Sequence, residues 1–192
     1  MKRFFIILAV FALFSCGHDS SDSGKKIITV SIAPFKYFVT EIAGDDFMVN
    51  IMVPAGANPH IYEPYPRQIS RLSRSVAYIS NGFLGFERAW LDRFYQINTT
   101  MSKLSVGEMI EPIASTPYHD HDSKHTEGAD PHYWVSPKCA IIIASSVKDL
   151  LCYLNPEAKE DYEQNYADLI LKIGEVDKKA QSLFLEDRKS VV

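Results

Sequence analysis

Lys26 to Ile32, KIITVSI, is a run of β-branched residues that ends just before Pro34. It predicts a buried strand. Pro34 suits the first turn of a helix and Gly44 suits its end, so a helix is expected from Pro34 to Ala43. Asp45 and Asp46 make a turn. Phe47, Val49, Ile51 and Val53 then alternate with Met48, Asn50 and Met52, which is the period of a strand. A proline-rich loop runs from Pro54 to Pro66, and a short helix begins at about Arg67. Ala77 to Ile79 is a further strand, Phe86 to Ile97 a helix, and Leu104 to Val106 a last short strand. Strand, helix, strand, helix, strand is the pattern of an α/β lobe with a mainly parallel sheet. Ligands of such sheets sit in loops beyond the carboxyl ends of the strands.

Residues 107–131 read as a long loop. Ser136-Pro137 then opens a helix, with Ser as the cap and Pro at the first helical position. Ile141, Ala144, Val147 and Leu151 mark its expected buried face. Asn155-Pro156 repeats the start signal. Beyond it, Tyr162, Tyr166, Leu169, Ile173, Val176, Ala180 and Leu183 step by four and three, which predicts an amphipathic helix of about 30 residues, roughly 45 Å long. The same spacing fits a coiled coil.

Composition narrows the classes. Hydrophobic residues make up 46% of the 192 and charged residues 23%, enough for a core and ordinary for a globular chain. The formal charge of −4 leaves no basic footprint for nucleic acid. Phe4 to Phe14 is an apolar run behind Lys2 and Arg3, too short to span a membrane. Leu13-Phe14-Ser15-Cys16 follows and resembles a bacterial lipobox, which implies lipidation at Cys16 after loss of a signal peptide, residues 1–15. Phe14 is bulkier than the usual residue there. Residues 16–26 are small and polar, as a tether requires. Loss of residues 1–15 takes away Lys2 and Arg3 and no acid, so the charge of −4 becomes −6. Cys139 and Cys152 fall on one helix, roughly 20 Å apart, too far to bridge. They read as small buried apolar residues.

Histidine supplies the candidate chemistry. Of the six in the chain, His119, His121, His125 and His132 lie within fourteen residues. Two stretches stand out: Pro54-Ala55-Gly56-Ala57-Asn58-Pro59-His60-Ile61-Tyr62-Glu63-Pro64, and Asp130-Pro131-His132-Tyr133-Trp134-Val135-Ser136-Pro137. Each holds a histidine in a loop stiffened by proline, which lowers the ordering cost of capturing a metal. Imidazole suits zinc and several other transition metals. By spacing alone the signal is weak, because His60 and His132 are far apart and no short metal motif joins them.

Together the two stretches resemble the signature segments of the solute-binding lipoproteins of zinc and manganese ABC transporters, the high-affinity zinc uptake protein family. The order of features along the chain resembles that family too. The resemblance implies that His60 and His132 are metal ligands for Zn2+, with Mn2+ as the alternative. It implies a bilobal fold with the metal in the cleft, of which this chain carries the parallel-sheet lobe, residues 27–154, and a long bridging helix, residues 155–187. Residues 188–192 then begin a second lobe that is absent, along with its two ligands. With one lobe present, part of the helix stripe, toward Val176, Ala180, Leu183 and Phe184, is expected to lie uncovered. Tyr118 to His125, YHDHDSKH, resembles the family's variable histidine-rich loop. It either gathers metal weakly through His119, His121 and His125 or is a solvated loop without a role. Glu63 and Asp130 read as loop-shaping or ligand-orienting carboxylates. Tyr133 and Trp134 read as packing beneath the site.

The implied function is metal binding on the outer side of the cytoplasmic membrane, at the periplasmic or extracellular face of the cell envelope. A lipid anchor and an ABC permease are the implied partners, nucleic acid is not, and no enzyme activity is implied. Other readings stay open: a manganese-specific or adhesin-like lipoprotein of the same family, a truncated fragment without function, or a zinc hydrolase. The last needs a third ligand and a general base that no nearby motif supplies.

Overall fold

The structure, a computed structural model, describes residues 24–59, 61–111 and 130–189, with side chains to residue 184. Four strands form one parallel sheet in the order β2-β1-β3-β4: β1 Lys26–Ile32, β2 Phe47–Val53, β3 Ser75–Ser80 and β4 Ser102–Ser105. The helices joining them are α1 Ala33–Ala43, α2 Pro66–Leu72 and α3 Gly85–Ile97. Two more follow, α4 Pro137–Leu154 and α5 Lys159–Lys189. The expected α/β architecture is therefore present as a parallel-sheet lobe with a long helix behind it.

β1 is central and buried on both faces, which its β-branched run allows. Two of its buried residues are polar, and each is paired. Thr29 Oγ1 meets Ser75 Oγ at 2.6 Å and accepts from Asn50 Nδ2, and Ser31 Oγ meets the Tyr78 hydroxyl at 2.9 Å. No buried side-chain nitrogen or oxygen among the described residues lacks a partner. A sheet interior with these pairs met keeps its polar atoms at little cost. Ile28, Val30, Phe35, Ile42, Tyr78, Ile79 and Phe94 fill the surrounding core.

Four local expectations change. β4 covers Ser102–Ser105, and Val106 enters a 3-10 turn, Val106–Met109. The turn brings Gly107 against the end of β3, where an added Cβ would lie 2.4 Å from the Asn81 carbonyl oxygen. In α4 the buried residues are Ile143, Ala144, Val147 and Leu151, while Ile141 is exposed. Three consecutive isoleucines satisfy either face of a helical period, and packing against α1 and α5 selects Ile143. Ser136 starts α4 through its carbonyl, which accepts from Ala140 N, and makes no side-chain cap bond. Cys139 and Cys152 are half-buried and unpaired with each other rather than fully buried.

α5 begins one 3-10 turn later than Asn155-Pro156 suggests, after Pro156–Ala158. Its first half is tied to the lobe. Tyr162 and Leu169 are buried, Asn165 Nδ2 donates to the Ile42 carbonyl at 2.9 Å, and Lys172 pairs with Glu41. Val176, Leu183 and Phe184 are exposed and Ala180 is half-buried, so the apolar stripe continues past the part of the helix that packs. The Tyr162 hydroxyl donates to Asp46 at 2.6 Å and accepts from Asn155 Nδ2. Burial, then the bond to Asp46, pushes this phenol up to about 12. A phenol raised on folding stabilises the fold fully below its unfolded value of 10.0, and that contribution is lost as pH rises toward 12. Urea unfolding of the wild type should therefore weaken steeply between these two values, and Tyr162→Phe should flatten the dependence. Equal slopes in the two proteins would mean that Tyr162 is not the linked group.

Candidate metal-binding site

The carboxyl ends of β1 and β2 open onto a cavity of about 200 Å3. Ile32 and Val53 form its floor, the Pro54–Pro59 segment one wall, and His132 and Trp134 another. This is where a parallel α/β sheet places ligands, because loops diverge there. The wall begins with a tight turn in which Ala57 N donates to the Pro54 carbonyl and Gly56 adopts φ 83°. That left-handed conformation favours glycine. The segment then leads straight into His60, which lies outside the described residues, as do Cys16 and the histidine-rich loop with His119, His121 and His125.

His132 is exposed, with 60% of its side chain accessible. Its backbone N–H donates to Asp130 Oδ1 at 2.8 Å, and its ring Nδ1 stands 2.8 Å from the same oxygen. The backbone bond first, then the ring, holds the Asp130 carboxyl below its usual range. A carboxylate at Nδ1 keeps the proton on that nitrogen, leaving the Nε2 lone pair for a metal. Trp134 leans on the imidazole, ring centroids 5.1 Å apart and planes at 54°, and limits its rotation. Tyr133 points the other way. It is buried and its hydroxyl donates to the Asn81 carbonyl at 2.6 Å. Burial, followed by the Glu87 charge, pushes its phenol far above the ordinary value. Glu63 is exposed. Among the described residues no group of three or more His, Cys, Asp or Glu gathers, so this part of the chain offers one exposed imidazole, not a closed site.

Sequence reasoning missed the polar side chains that hold the two loops. Gln68 Nε2 donates to the Ile51 and Met52 carbonyls at 2.7 and 2.8 Å, while its Oε1 accepts from Tyr65 N and the Tyr62 hydroxyl. It thereby ties the end of β2 to the segment after His60. Asn81 and Glu87 do comparable work at the end of β3. A glutamine in the first turn behind Tyr65-Pro66, and an Asn-Gly pair closing a strand, were the available signals.

Residues 28–192 match the family described as zinc-uptake complex component A, periplasmic (ZnuA). The chain belongs to the ZnuA family. The zinc-binding lipoprotein AdcA of Streptococcus pneumoniae is 29% identical over 201 residues, covering 100% of this chain and 40% of that protein. The manganese ABC transporter substrate-binding lipoprotein PsaA of Streptococcus anginosus is 28% identical and covers 93% of this chain and 59% of its own length. A crystal structure of ZnuA superposes with a TM-score of 0.71 at 34% identity, over 81% of this chain and 58% of that one. The chain thus spans about half the length of the ZnuA-family proteins it matches. PsaA is named as a substrate-binding lipoprotein of an ABC transporter and AdcA as a zinc-binding lipoprotein, and neither name describes a hydrolase.

Proposed function

We propose that this chain captures a divalent transition metal ion outside the cytoplasmic membrane and serves its delivery to an ABC importer, with zinc as the cargo and manganese as the alternative. His60 and His132 are the ligands in this reading, and Cys16 carries the lipid that anchors the chain to the membrane. The observation that supports it is the Asp130–His132 pair: an exposed imidazole, oriented by a carboxylate, on the cavity walled by the segment leading to His60. The names of the relatives, zinc for one and manganese for another, support the class of ion. Imidazole ligands favour zinc over manganese on chemical grounds, since manganese prefers oxygen donors and stands low in the affinity order of divalent metals.

Competition titrations with zinc, manganese, magnesium and calcium test the reading. Zinc should bind most tightly, manganese more weakly by orders of magnitude, and the two alkaline-earth ions not at all at micromolar concentration. Comparable affinity for calcium would point to an oxygen-donor site and overturn the assignment of the histidines.

A further inference from the structure

Asn81, at the end of β3, uses every polar group it has. Its N–H donates to Glu87 Oε1 at 2.6 Å, its Nδ2 to the Pro131 carbonyl at 3.0 Å, its Oδ1 accepts from Phe83 N, and its carbonyl accepts from Tyr133. Glu87 is almost fully buried, and its second oxygen accepts from Gly82 N at 2.7 Å. Five residues on from Asn81, Phe86 N donates to the Pro59 carbonyl at 3.0 Å. One short segment therefore grips the carbonyls of Pro59 and Pro131. Each carbonyl belongs to the peptide bond that leads into a histidine, His60 in one case and His132 in the other.

A peptide unit is planar, so holding its carbonyl sets the plane of the following N–H and the direction in which the next Cα leaves. For His132 the hold is two-sided, with Asn81 on the carbonyl and Asp130 on the N–H. Gly107 closes the segment from outside, packed so tightly on the Asn81 carbonyl and Phe83 that it has no room for a side chain. Glu87 makes the segment rigid by accepting two successive backbone N–H groups across its carboxylate, which fixes the turn from β3 into α3.

We propose that Asn81 to Glu87 is the positioning element of the metal site: the Asn81 amide holds the Pro131 carbonyl, the Phe86 N–H holds the Pro59 carbonyl, and Glu87 acts through the segment by fixing the turn between them. The inference rests on His60 and His132 being the ligands. It gives a physical reason for two loops far apart in sequence to be held by one support: metal geometry tolerates errors of only a few tenths of an ångström.

Asn81→Asp is the discriminating variant. It keeps the oxygen that accepts from Phe83 N and replaces the donor facing Pro131 with an acceptor. Zinc affinity, read by competition titration, should fall at least tenfold. Asn81→Asp combined with His132→Ala should bind no worse than His132→Ala alone, because Asn81 acts through the ligand that His132→Ala has already removed. Fully additive losses would overturn the proposal. Asn98→Ala serves as the structural control. It removes six side-chain bonds near the opposite end of β3, three donated to the carbonyls of Leu72, Ser73 and Ser75 and three accepted from Thr100 and Met101, and should lower the unfolding midpoint without changing zinc affinity. If it weakens zinc as much as Asn81→Asp does, general stability and not positioning is at work. A metal-free readout separates this inference from the ligand assignment. Backbone 15N relaxation at residues 131–133 should report greater mobility in Asn81→Asp than in wild type. Unchanged order there would overturn the positioning role even if both histidines prove to be ligands. Retention of tight zinc by His132→Ala would overturn the ligand assignment, and the positioning role with it.

Discussion

His60→Ala and His132→Ala are each expected to weaken zinc binding by more than tenfold, at least about 1.4 kcal/mol. The expectation for His132 follows from its geometry: Asp130 takes Nδ1, the ring is braced by Trp134, and Nε2 is left to bind. His60 follows from its place at the end of the Pro54–Pro59 wall of the same cavity. Asp130→Asn should cost less, since the amide can still accept from the His132 backbone N–H through one oxygen while losing its charge. Deleting Tyr118 to His125 should lower the number of loosely held ions and spare the tight one. Isothermal titration of the four variants separates these claims. If the deletion abolishes the tightest site while the alanine variants keep it, the ligands belong to the histidine-rich loop.

Phe94→Ala is expected to destabilise the lobe by about 3–5 kcal/mol, the range for removing a fully buried aromatic ring. Phe94 has no accessible surface and lies among Tyr78, Phe86 and Trp90, with ring centroids 5.7 to 5.9 Å away. Three aromatic neighbours cannot close over the void without leaving their own contacts, so little of the cavity should collapse. Phe94→Leu should cost about half as much, since most of the volume remains. Urea unfolding gives both values. A loss below about 1.5 kcal/mol for the alanine variant would show that α3 packs on the sheet less closely than described. Because α3 starts at the segment that grips Pro59 and Pro131, Phe94→Ala should also lower zinc affinity, by a smaller factor than His132→Ala.

Most secondary structure was legible in the chain because its signals are local. The alternation from Phe47 to Val53, the β-branched run from Lys26 to Ile32 and the four-three stepping from Tyr162 each occupy one continuous stretch, and period alone separates strand from helix. Where period was ambiguous the reading slipped. The isoleucines at 141, 142 and 143 fit two helix faces, and only the neighbouring helices choose between them. Of the site, His132 and its companion Asp130 could be picked out because they are two residues apart and bond within one turn. The pairing of His132 with the distant Pro54–Pro59 segment came from resemblance to a known family, since nothing in the spacing encodes it.

The type and order of the main elements follow from the chain's local pattern, because backbone preference and burial period act over a few residues. Which side chains support the site depends on contacts made across the fold. Asn81 meets Pro131 and Tyr133 across about fifty residues of chain, Gln68 reaches back to Ile51 and Met52, and Glu87 is a buried acid in a first helical turn where an exposed one would look the same in sequence. A polar residue carries no mark of its partner. Its role is set when folding removes water from around it and leaves one set of donors and acceptors within reach.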